Sequence, residues 1–255
     1  MDNTSIALLK KLTIEAGQIA LRIKDSGIIT SYKEDNSPVT NADVEISQFI
    51  YDGLQLIAPS IMVICEERPK QQPKSNSFWL IDPIDGTKSY IKEEDTYTIN
   101  IALIENNSPV LGFIYQPALS KLYYTDSNYC LHIEQKGQKL QIHDRYPSPA
   151  DYIAVVGSRY LDKSTSTFLQ THGISNVISL SSSIKLCLIA EGHADIYPKF
   201  EQTMEWDIAA GHALIKAAGG NITDLNGNSL IYGKYNFENP HFLAYSKHWL
   251  ARVAS

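Results

Sequence analysis

Apolar residues recur at spacings of three and four in two segments near the start of the chain, which is typical of amphipathic helices. In the first segment they are Ile6, Leu9, Leu12, Ala16, Ile19 and Ile23. Gly27 follows this run and is expected to end the helix. The second helix is predicted to begin at residues 41–43 and to end before Ala58 and Pro59.

After Pro59 the pattern changes to short apolar runs that predict buried or half-buried strands. They occupy residues 61–64, 78–81, 97–104, 110–116, 121–124 and 129–134. Turn-forming residues at 105–108 separate two of these runs. Two helices followed by a meander of strands predict an α+β unit over roughly the first 145 residues.

The second half alternates between strand and helix patterns, an order that favours an α/β sheet. Strands are predicted at residues 152–156, 177–180, 194–197 and 221–224, and helices at 162–172, 182–191 and 205–218. Residues 144–149 contain two prolines and are the best candidate for a seam between the halves. We therefore expect an N-terminal α+β subdomain at 1–147 and a C-terminal α/β subdomain at 148–255.

Composition narrows the class of protein. Lys and Arg number 22 against 28 Asp and Glu, giving a net charge of −6, so nonspecific binding to nucleic-acid polymers is not expected. No apolar run is long enough for a membrane helix. The three cysteines form no CxxC motif, which argues against a disulfide scaffold or a zinc knuckle and favours a reducing, cytoplasmic setting.

Two carboxylates directly follow the apolar run at 78–81. Asp82 and Asp85 flank Pro83 and Ile84, and Gly86 and Thr87 come next. Proline stiffens such a segment and glycine permits unusual backbone angles, so backbone N–H groups at Gly86 and Thr87 could hold an anion at the start of a helical turn. A plain turn with an Asx cap is the alternative.

Further acids lie at the ends of other predicted elements. Glu66 and Glu67 follow the apolar run at 61–65, while Asp43 and Asp207 begin helices. Each alone could be a solvated or helix-capping acid. Gathered together they would repel one another unless divalent cations neutralised them. Oxygen ligands without His or Cys at ligand spacing indicate Mg²⁺ rather than Zn²⁺.

Two long motifs carry a family resemblance. Residues 79–87 read WLIDPIDGT, and residues 206–211 read WDIAAG, followed by AAGG at 217–220. With these motifs the chain resembles the lithium-sensitive, Mg²⁺-dependent phosphatase superfamily that includes inositol monophosphatase. Four further stretches resemble its CysQ-type branch, the bacterial 3′(2′),5′-bisphosphate nucleotidases: SPVT at 37–40, DGTK at 85–88, SSIKLCLIAEG at 182–192 and YPKF at 197–200.

The resemblance implies a layered α/β/α/β/α sandwich with the site between two subdomains. It implies two or three Mg²⁺ ions, held by Glu66, Asp82, the Ile84 carbonyl, Asp85 and Asp207. It gives Asp43 and Thr87 the role of orienting a water molecule and taking its proton.

The resemblance also implies a substrate and its contacts. The expected reaction is hydrolysis of adenosine 3′,5′-bisphosphate to AMP and phosphate. The expected substrate-binding residues are Gly86, Thr87, Ser158, Arg159, Ser182, Lys185, Lys199 and Asp207. Lys185 and Lys199 are the candidates for the 5′-phosphate, although a snorkelling or solvated lysine is the alternative for each.

One departure from the family pattern and two alternative functions stay open. The branch commonly has SRSH where this chain has SRYL at 158–161, so one expected substrate contact is missing. An inositol monophosphatase or a sugar-phosphate phosphatase with the same metal site is the second hypothesis, and a phosphate-binding protein without turnover is the third. The expected partner is a small phosphorylated nucleotide, and the expected state is a monomer or homodimer in the cytoplasm or at the inner face of the membrane.

Overall fold

The computed structural model describes residues 1–68, 71–142, 147–148, 151–157 and 161–249. The helices are α1 Asn3–Ser26, α2 Asn41–Ile57, α3 Thr87–Ile91, α4 Lys163–Thr171, α5 Ile184–Glu191 and α6 Glu205–Ala217, with a 3₁₀ turn at Pro117–Leu119. Asp2 caps α1 through a 2.8 Å bond from the Ser5 N–H to its carboxylate, and Gly27 ends that helix. Both N-terminal helices lie where the apolar spacing predicts them.

The strands fall into a large sheet, a smaller sheet and two short hairpin-like pairs. The large sheet contains β3 Met62–Cys65, β4 Ser77–Asp85, β5 Thr98–Glu105, β6 Ser108–Gln116, β7 Lys121–Thr125, β8 Leu131–Gln135 and β9 Gln138–Lys139. The smaller sheet contains β10 Ile153–Gly157, β11 Asn176–Leu180, β12 Ile196–Lys199, β14 Asn221–Asp224 and β16 Phe242–Tyr245. The short pairs are β1 Thr30–Tyr32 with β2 Pro38–Thr40, and β13 Thr203–Met204 with β15 Glu238–Asn239.

The order of strands shows how the two sheets differ. In the large sheet the order follows the chain from β3 to β9, with β3 parallel to β4 and the remaining neighbours antiparallel. The smaller sheet has the order β11-β10-β12-β16-β14. Its first three strands are parallel, whereas β16 runs antiparallel to both of its neighbours. The sequence therefore predicted the antiparallel meander and the α/β sheet correctly, whereas the antiparallel direction of β16 was not predicted.

Alternating side chains on β4 and β5 separate the core into layers, because successive residues of a strand face opposite sides. Trp79 and Ile81 pack with α1 and α2 on one face, whereas Phe78 and Leu80 pack with α5 and α6 on the other. The same second cluster includes Val155 and other residues of the smaller sheet, whose far face packs against α4 and Trp249. The layers are thus α/β/α/β/α, as the family resemblance implied.

One expectation about the acidic segment is wrong. The apolar run predicts a strand that ends at residue 81, before Asp82, but β4 continues through Asp85. Asp82 pairs with Asn100 and Asp85 with Thr98 on β5, with a shift of register between the two pairs. Such a bulge re-aims side chains within a continuing strand, and here both acids lie in the last residues of β4, at the end of the sheet that faces the site.

Helix α6 lies directly on the large sheet. Gly112 on β6 makes room for it, because a Cβ atom at this position would stand 2.3 Å from the carbonyl oxygen of Ala210. No side chain can be accommodated at that distance without moving one of the two elements. The close approach fixes the height of α6 above the sheet, and with it the position of Asp207 in the first turn of the helix.

The predicted seam lies only partly within the described residues. Residues 143–146 and 149–150 fall outside them, so the division at 147/148 stays a prediction. The pairs β1–β2 and β13–β15 were not predicted, because strands of two or three residues carry too short a pattern. Among the helices that the structure describes, none has the length and apolar character needed to cross a membrane.

Candidate metal centre and active site

Three carboxylates from distant parts of the chain meet at one end of the large sheet. Strands β3 and β4 are parallel and Cys65 pairs with Ile81, so the residues that follow, Glu66 and Asp82, lie side by side. Asp207 approaches from the first turn of α6. One oxygen from each of Glu66, Asp82 and Asp207 lies within 4.8 Å of the other two. We call these three residues the acidic cluster.

Local hydrogen bonds orient two members of the cluster. The Ile84 N–H donates to Asp82 Oδ1 at 3.1 Å, and the Met204 N–H donates to Asp207 Oδ2 at 2.8 Å. The second bond is a helix cap, since an acid in the first turn accepts from backbone N–H groups that the helix leaves unpaired. Each carboxylate keeps its other oxygen for a further partner.

Electrostatics disfavours the ionised form of the acidic cluster when no cation is bound. Burial, followed by the charges of Glu66, Asp85, Asp207 and Asp43, raises the pKa of Asp82 well above its usual range. Burial also raises the pKa of Asp207 well above its usual range, and the charge of Asp85 is the next cause. Three oxygen donors in repulsive proximity suit a hard divalent cation, which would neutralise them. The donor set therefore fits Mg²⁺.

Sequence reasoning missed a lysine at this cluster. Lys33, in the connection between β1 and β2, places its ammonium 2.8 Å from Glu66 Oε1 and 2.5 Å from Glu67 Oε1. Burial and like charge from Glu66 raise the pKa of Glu67 to about 7, while its bond from Lys33 opposes that rise. Lys33 lies in a polar connector, and nothing in the local pattern distinguished it from a solvated lysine.

Asp43 and Thr87 also meet, as the resemblance implied. Asp43 lies in a capping box at the start of α2, where its Oδ2 accepts from the Thr40 N–H at 2.7 Å. The Thr87 hydroxyl lies 3.4 Å from Asp43 Oδ1 and 3.1 Å from the Ile84 carbonyl oxygen. Burial raises the pKa of Asp43 to about 6, although the bonds from Thr40 oppose the rise.

Gly86 allows the turn between β4 and α3. Its φ of +95° is a backbone conformation that favours glycine, and an added Cβ would stand 2.9 Å from the carbonyl oxygen of Thr96. The turn brings Gly86 and Thr87 to the wall of an open cleft of about 570 Å³. The cleft is also lined by Ser37, Glu66, Lys88, Ser182, Lys185, Tyr197, Lys199 and Glu201.

The two candidate phosphate-binding lysines have different surroundings. The side chain of Lys185 is buried, and its ammonium donates to the Ser182 carbonyl at 2.6 Å and the Leu180 carbonyl at 3.2 Å. Burial lowers its pKa to about 8. The ammonium of Lys199 lies 2.5 Å from Glu201 Oε2. Lys185 is thus no solvated surface lysine, and Lys199 has an acidic neighbour that the sequence did not reveal.

The remaining predicted site residues are Asp85, Ser158 and Arg159. Asp85 is not one of the three clustered acids, and its Oδ2 accepts from the backbone N–H of Ser183 and from Asn100 Nδ2. Asp85 and Asp207 line the same smaller cavity of about 170 Å³, together with Lys185 and Lys199. Ser158 and Arg159 lie outside the described residues.

The whole sequence, from residue 2 to residue 255, matches the inositol monophosphatase family. The chain belongs to the inositol monophosphatase family. A 3′(2′),5′-bisphosphate nucleotidase CysQ of Salmonella typhimurium is 38% identical over 238 residues, which cover 91% of this chain and 96% of that protein. The CysQ of Shigella flexneri is 40% identical over 215 residues, 82% of this chain and 86% of that protein.

A solved structure agrees with this membership. CysQ from Bacteroides thetaiotaomicron, described as a bacterial member of the inositol monophosphatase family, has a TM-score of 0.82 and 32% sequence identity. The match covers 97% of this chain and 98% of that chain. The predicted resemblance to the superfamily and to its CysQ-type branch is confirmed, as is the layered fold. Members of the inositol monophosphatase family are metal-dependent phosphatases, so this chain is an enzyme of that class.

Without bound metal, the free energy of unfolding of this protein is expected to fall as pH rises from about 4 to about 7. Asp43 and Glu67 have folded-state pKa values of about 6 and about 7, above the ~4 of an unfolded carboxyl group. In that window the unfolded chain has released protons that the folded protein still holds, so rising pH favours unfolding. Buried His212, whose pKa burial lowers to about 3, acts in the opposite sense up to about pH 6.5, because there the unfolded chain binds a proton that the folded protein does not. The decline is still expected because Asp82 and Asp207, whose pKa values burial raises well above the usual range, add to the effect of Asp43 and Glu67. Acids with lowered pKa, such as Asp162, oppose the decline only below about pH 4.

Urea unfolding in a chelating buffer from pH 4 to 8 measures this decline. The same series with saturating Mg²⁺ is the control, and there the decline should be smaller because a bound cation favours the ionised acids. Stability that stays level or increases across the window without metal would contradict the prediction.

Proposed function

We propose that this enzyme is a Mg²⁺-dependent phosphomonoesterase that converts adenosine 3′,5′-bisphosphate and water to AMP and phosphate. The observation that carries the proposal is the acidic cluster of Glu66, Asp82 and Asp207 beside a cleft whose walls hold three lysines. A dianionic phosphate beside the cluster needs cations, and a second phosphate needs a separate set of positive groups. The relatives named CysQ 3′(2′),5′-bisphosphate nucleotidase support this substrate.

The proposed metal ligands are Glu66, Asp82, the Ile84 carbonyl, Asp85 and Asp207, which would hold two or three Mg²⁺ ions. When bound, Mg²⁺ would neutralise phosphate charge and lower the pKa of water. Glu66, Asp82, Ile84 and Asp85 belong to the proposed subdomain at 1–147, whereas Asp207 belongs to the one at 148–255. The proposed site therefore lies where the two subdomains meet.

The protein groups have separate proposed tasks in the hydrolysis. Thr87 donates its hydroxyl proton to Asp43, and its oxygen then accepts from the attacking water and orients it toward phosphorus. The water oxygen forms a new bond to phosphorus as its proton passes through Thr87 to Asp43. The bond from phosphorus to the ribose 3′ oxygen breaks, and that oxygen takes a proton from solvent water. The N–H groups of Gly86 and Thr87 hold a phosphate oxygen at the turn that follows β4.

The second phosphate is proposed to bind on the far wall of the cleft. Lys185 and Lys199 carry the positive charge there, with Ser182 beside them and with Ser158 and Arg159 as further expected contacts. Glu201 competes with the phosphate for Lys199, so binding must replace one ion pair with another. The substrate is a small nucleotide, and we place the activity in the cytoplasm.

The deciding experiment measures phosphate release from adenosine 3′,5′-bisphosphate and from inositol 1-phosphate side by side, with and without Mg²⁺. A much higher kcat/KM for the bisphosphate supports the proposal. A preference for inositol 1-phosphate would overturn the nucleotide substrate while leaving the metal site intact. Activity that is equal in chelator would overturn the metal assignment.

Replacing Lys199 by alanine is expected to separate bisphosphate from monophosphate substrates. A charged hydrogen bond contributes ~1.5–3 kcal/mol, so kcat/KM for adenosine 3′,5′-bisphosphate should fall roughly 10- to 150-fold. Hydrolysis of adenosine 3′-phosphate should change little, because that substrate has no 5′-phosphate. Lys11→Ala, on the exposed face of α1, is the matched control. An equal loss on both substrates would contradict a role at the 5′-phosphate.

A further inference from the structure

A chain of buried polar side chains leads from the large sheet to Asp85. The Thr98 hydroxyl lies 2.8 Å from the Ser183 hydroxyl, which donates to Asn100 Oδ1 at 2.9 Å. Asn100 Nδ2 in turn lies 3.4 Å from Asp85 Oδ2, which also accepts from the Ser183 backbone N–H. Thr98, Asn100 and Ser183 are at most 3% exposed, so water cannot replace these bonds. We call these three residues the relay.

Only one direction of donation satisfies every member of the relay. An ionised carboxylate can only accept, so the amide of Asn100 must turn its NH₂ group toward Asp85. Its carbonyl oxygen then accepts from the Ser183 hydroxyl, and the Thr98 hydroxyl is left to donate to Ser183. Each donor points toward Asp85, and the loss of any hydroxyl would leave a buried partner unsatisfied.

The bulge in β4 explains why the relay ends on Asp85. Thr98 lies opposite Asp85 and Asn100 lies opposite Asp82 across the β4–β5 pair. Ser183 comes from the other side of the site, directly before α5. The relay therefore connects a strand of the large sheet to a helix that packs between the two sheets.

The segment that contains Ser183 also borders the substrate cleft. Ser182 has a φ of +57°, an unusual backbone conformation for serine, and its side chain lines the cleft. The Lys185 ammonium donates to the Ser182 carbonyl oxygen at 2.6 Å and so fixes the same turn. Residues 182–185 thus hold Asp85 through Ser183 and face the cleft through Ser182 and Lys185.

We propose that Ser183 is a positioning residue that couples the metal ligand Asp85 to the substrate-binding segment at residues 182–185. The proposal rests on the proposed function insofar as it takes Asp85 as a metal ligand. Ser183 fixes Asp85 Oδ2 and leaves the other carboxylate oxygen for Mg²⁺. Because one residue serves both sites, Mg²⁺ and a ligand at Lys185 should each raise the affinity for the other by the same factor.

The test measures Mg²⁺ binding directly by calorimetry, without substrate turnover. Ser183→Ala keeps the backbone N–H bond to Asp85 but removes the hydroxyl that holds the Asn100 amide toward this carboxylate, so the Mg²⁺ dissociation constant should rise about 5- to 100-fold. Thr98→Val removes only the first donor and should raise the constant about 2- to 10-fold. Thr98→Ser keeps the hydroxyl and is the matched control, with Mg²⁺ affinity within about twofold of the parent.

A second measurement repeats the Mg²⁺ titration with saturating AMP as the probe of the cleft. In the parent, AMP should tighten Mg²⁺ binding, and Ser183→Ala should reduce this effect toward none. Unchanged Mg²⁺ affinity in Ser183→Ala, with only a lower melting temperature, would overturn the proposal and leave the relay a stabilising contact. Should Ser183→Ala fail to fold, the contrast between Thr98→Val and Thr98→Ser decides alone. A parent protein that binds no Mg²⁺ would instead overturn the proposed function.

Discussion

Replacing Asp82 by asparagine is expected to remove nearly all phosphatase activity while making the metal-free protein more stable. Asp82 is buried at the centre of the acidic cluster, between Glu66 and Asp207. Without the Asp82 carboxylate, the bound cations would lose part of the negative charge that balances them and one of the ligands that fix their positions. We expect kcat to fall by at least ~10²–10³-fold, the usual effect of removing one group that stabilises the transition state.

The expected gain in stability of metal-free Asp82→Asn also comes from loss of the charge, because this charge is unfavourable when no cation is bound. Without metal, the ionised form of Asp82 is disfavoured by burial and by the charges of neighbouring acids. Asparagine keeps an oxygen for the Ile84 N–H, which now donates to Asp82 Oδ1, but carries no charge. At pH 8 in chelator the melting temperature should therefore rise by about 2–4 °C, which corresponds to ~1 kcal/mol in a chain of this size.

Two measurements check this prediction, namely turnover with saturating Mg²⁺ and thermal unfolding in chelator. Asp25→Asn is the matched control, because Asp25 is an exposed acid at the end of α1. That substitution should change neither quantity. Parent-like turnover in Asp82→Asn would refute the metal assignment, and a lower melting temperature without metal would refute the repulsion argument.

Replacing Thr87 by valine is expected to lower kcat by ~10²–10⁴-fold and to leave KM nearly unchanged. Valine has the shape of threonine without the hydroxyl that lies between Asp43 and the Ile84 carbonyl. The proposed role of this hydroxyl is on the water molecule, so its loss affects the transition state more than the bound substrate. Asp43→Asn should have an effect of similar size.

The control for Thr87 is Thr87→Ser, which keeps a hydroxyl at the same position and should recover most of the rate. Steady-state kinetics on adenosine 3′,5′-bisphosphate at several Mg²⁺ concentrations give kcat and KM separately. A rise in KM with an unchanged kcat would reassign the pair to substrate binding. A loss in Thr87→Val that Thr87→Ser does not recover would point to packing rather than to the hydroxyl.

Local patterns were sufficient for the parts of the site that lie within one element. The helices that carry Asp43 and Asp207 follow from apolar spacing and from acids at their first turns. The turn at Gly86 follows from the glycine itself. The meeting of Glu66 with Asp82 required one more step, since both end apolar runs that form neighbouring strands.

Tertiary pairing decided the parts that the sequence could not predict. Pro83 and Gly86 favour a turn by their own preferences, yet pairing with β5 keeps the backbone extended through Asp85. Asn100 and Ser183 look like ordinary polar residues in apolar surroundings, because their partners depend on a bulge and on the packing of α5. Lys33 was missed for the same reason, since its two acidic partners follow a different strand.

The distance along the chain between the clustered acids bears on synthesis of the protein. Glu66 and Asp82 leave the ribosome early, whereas Asp207 belongs to α6, which appears only in the last quarter of the chain. Domains fold from the N-terminus as they emerge, so β3 and β4 can pair with β5 before the third acid exists. Asp207 joins Glu66 and Asp82 only when α6 packs on the sheet at Gly112, so the repulsion among the three acids becomes complete at that step. Nascent chains on the ribosome should accordingly gain magnesium-dependent resistance to proteolysis only after α6 has emerged from the ribosome.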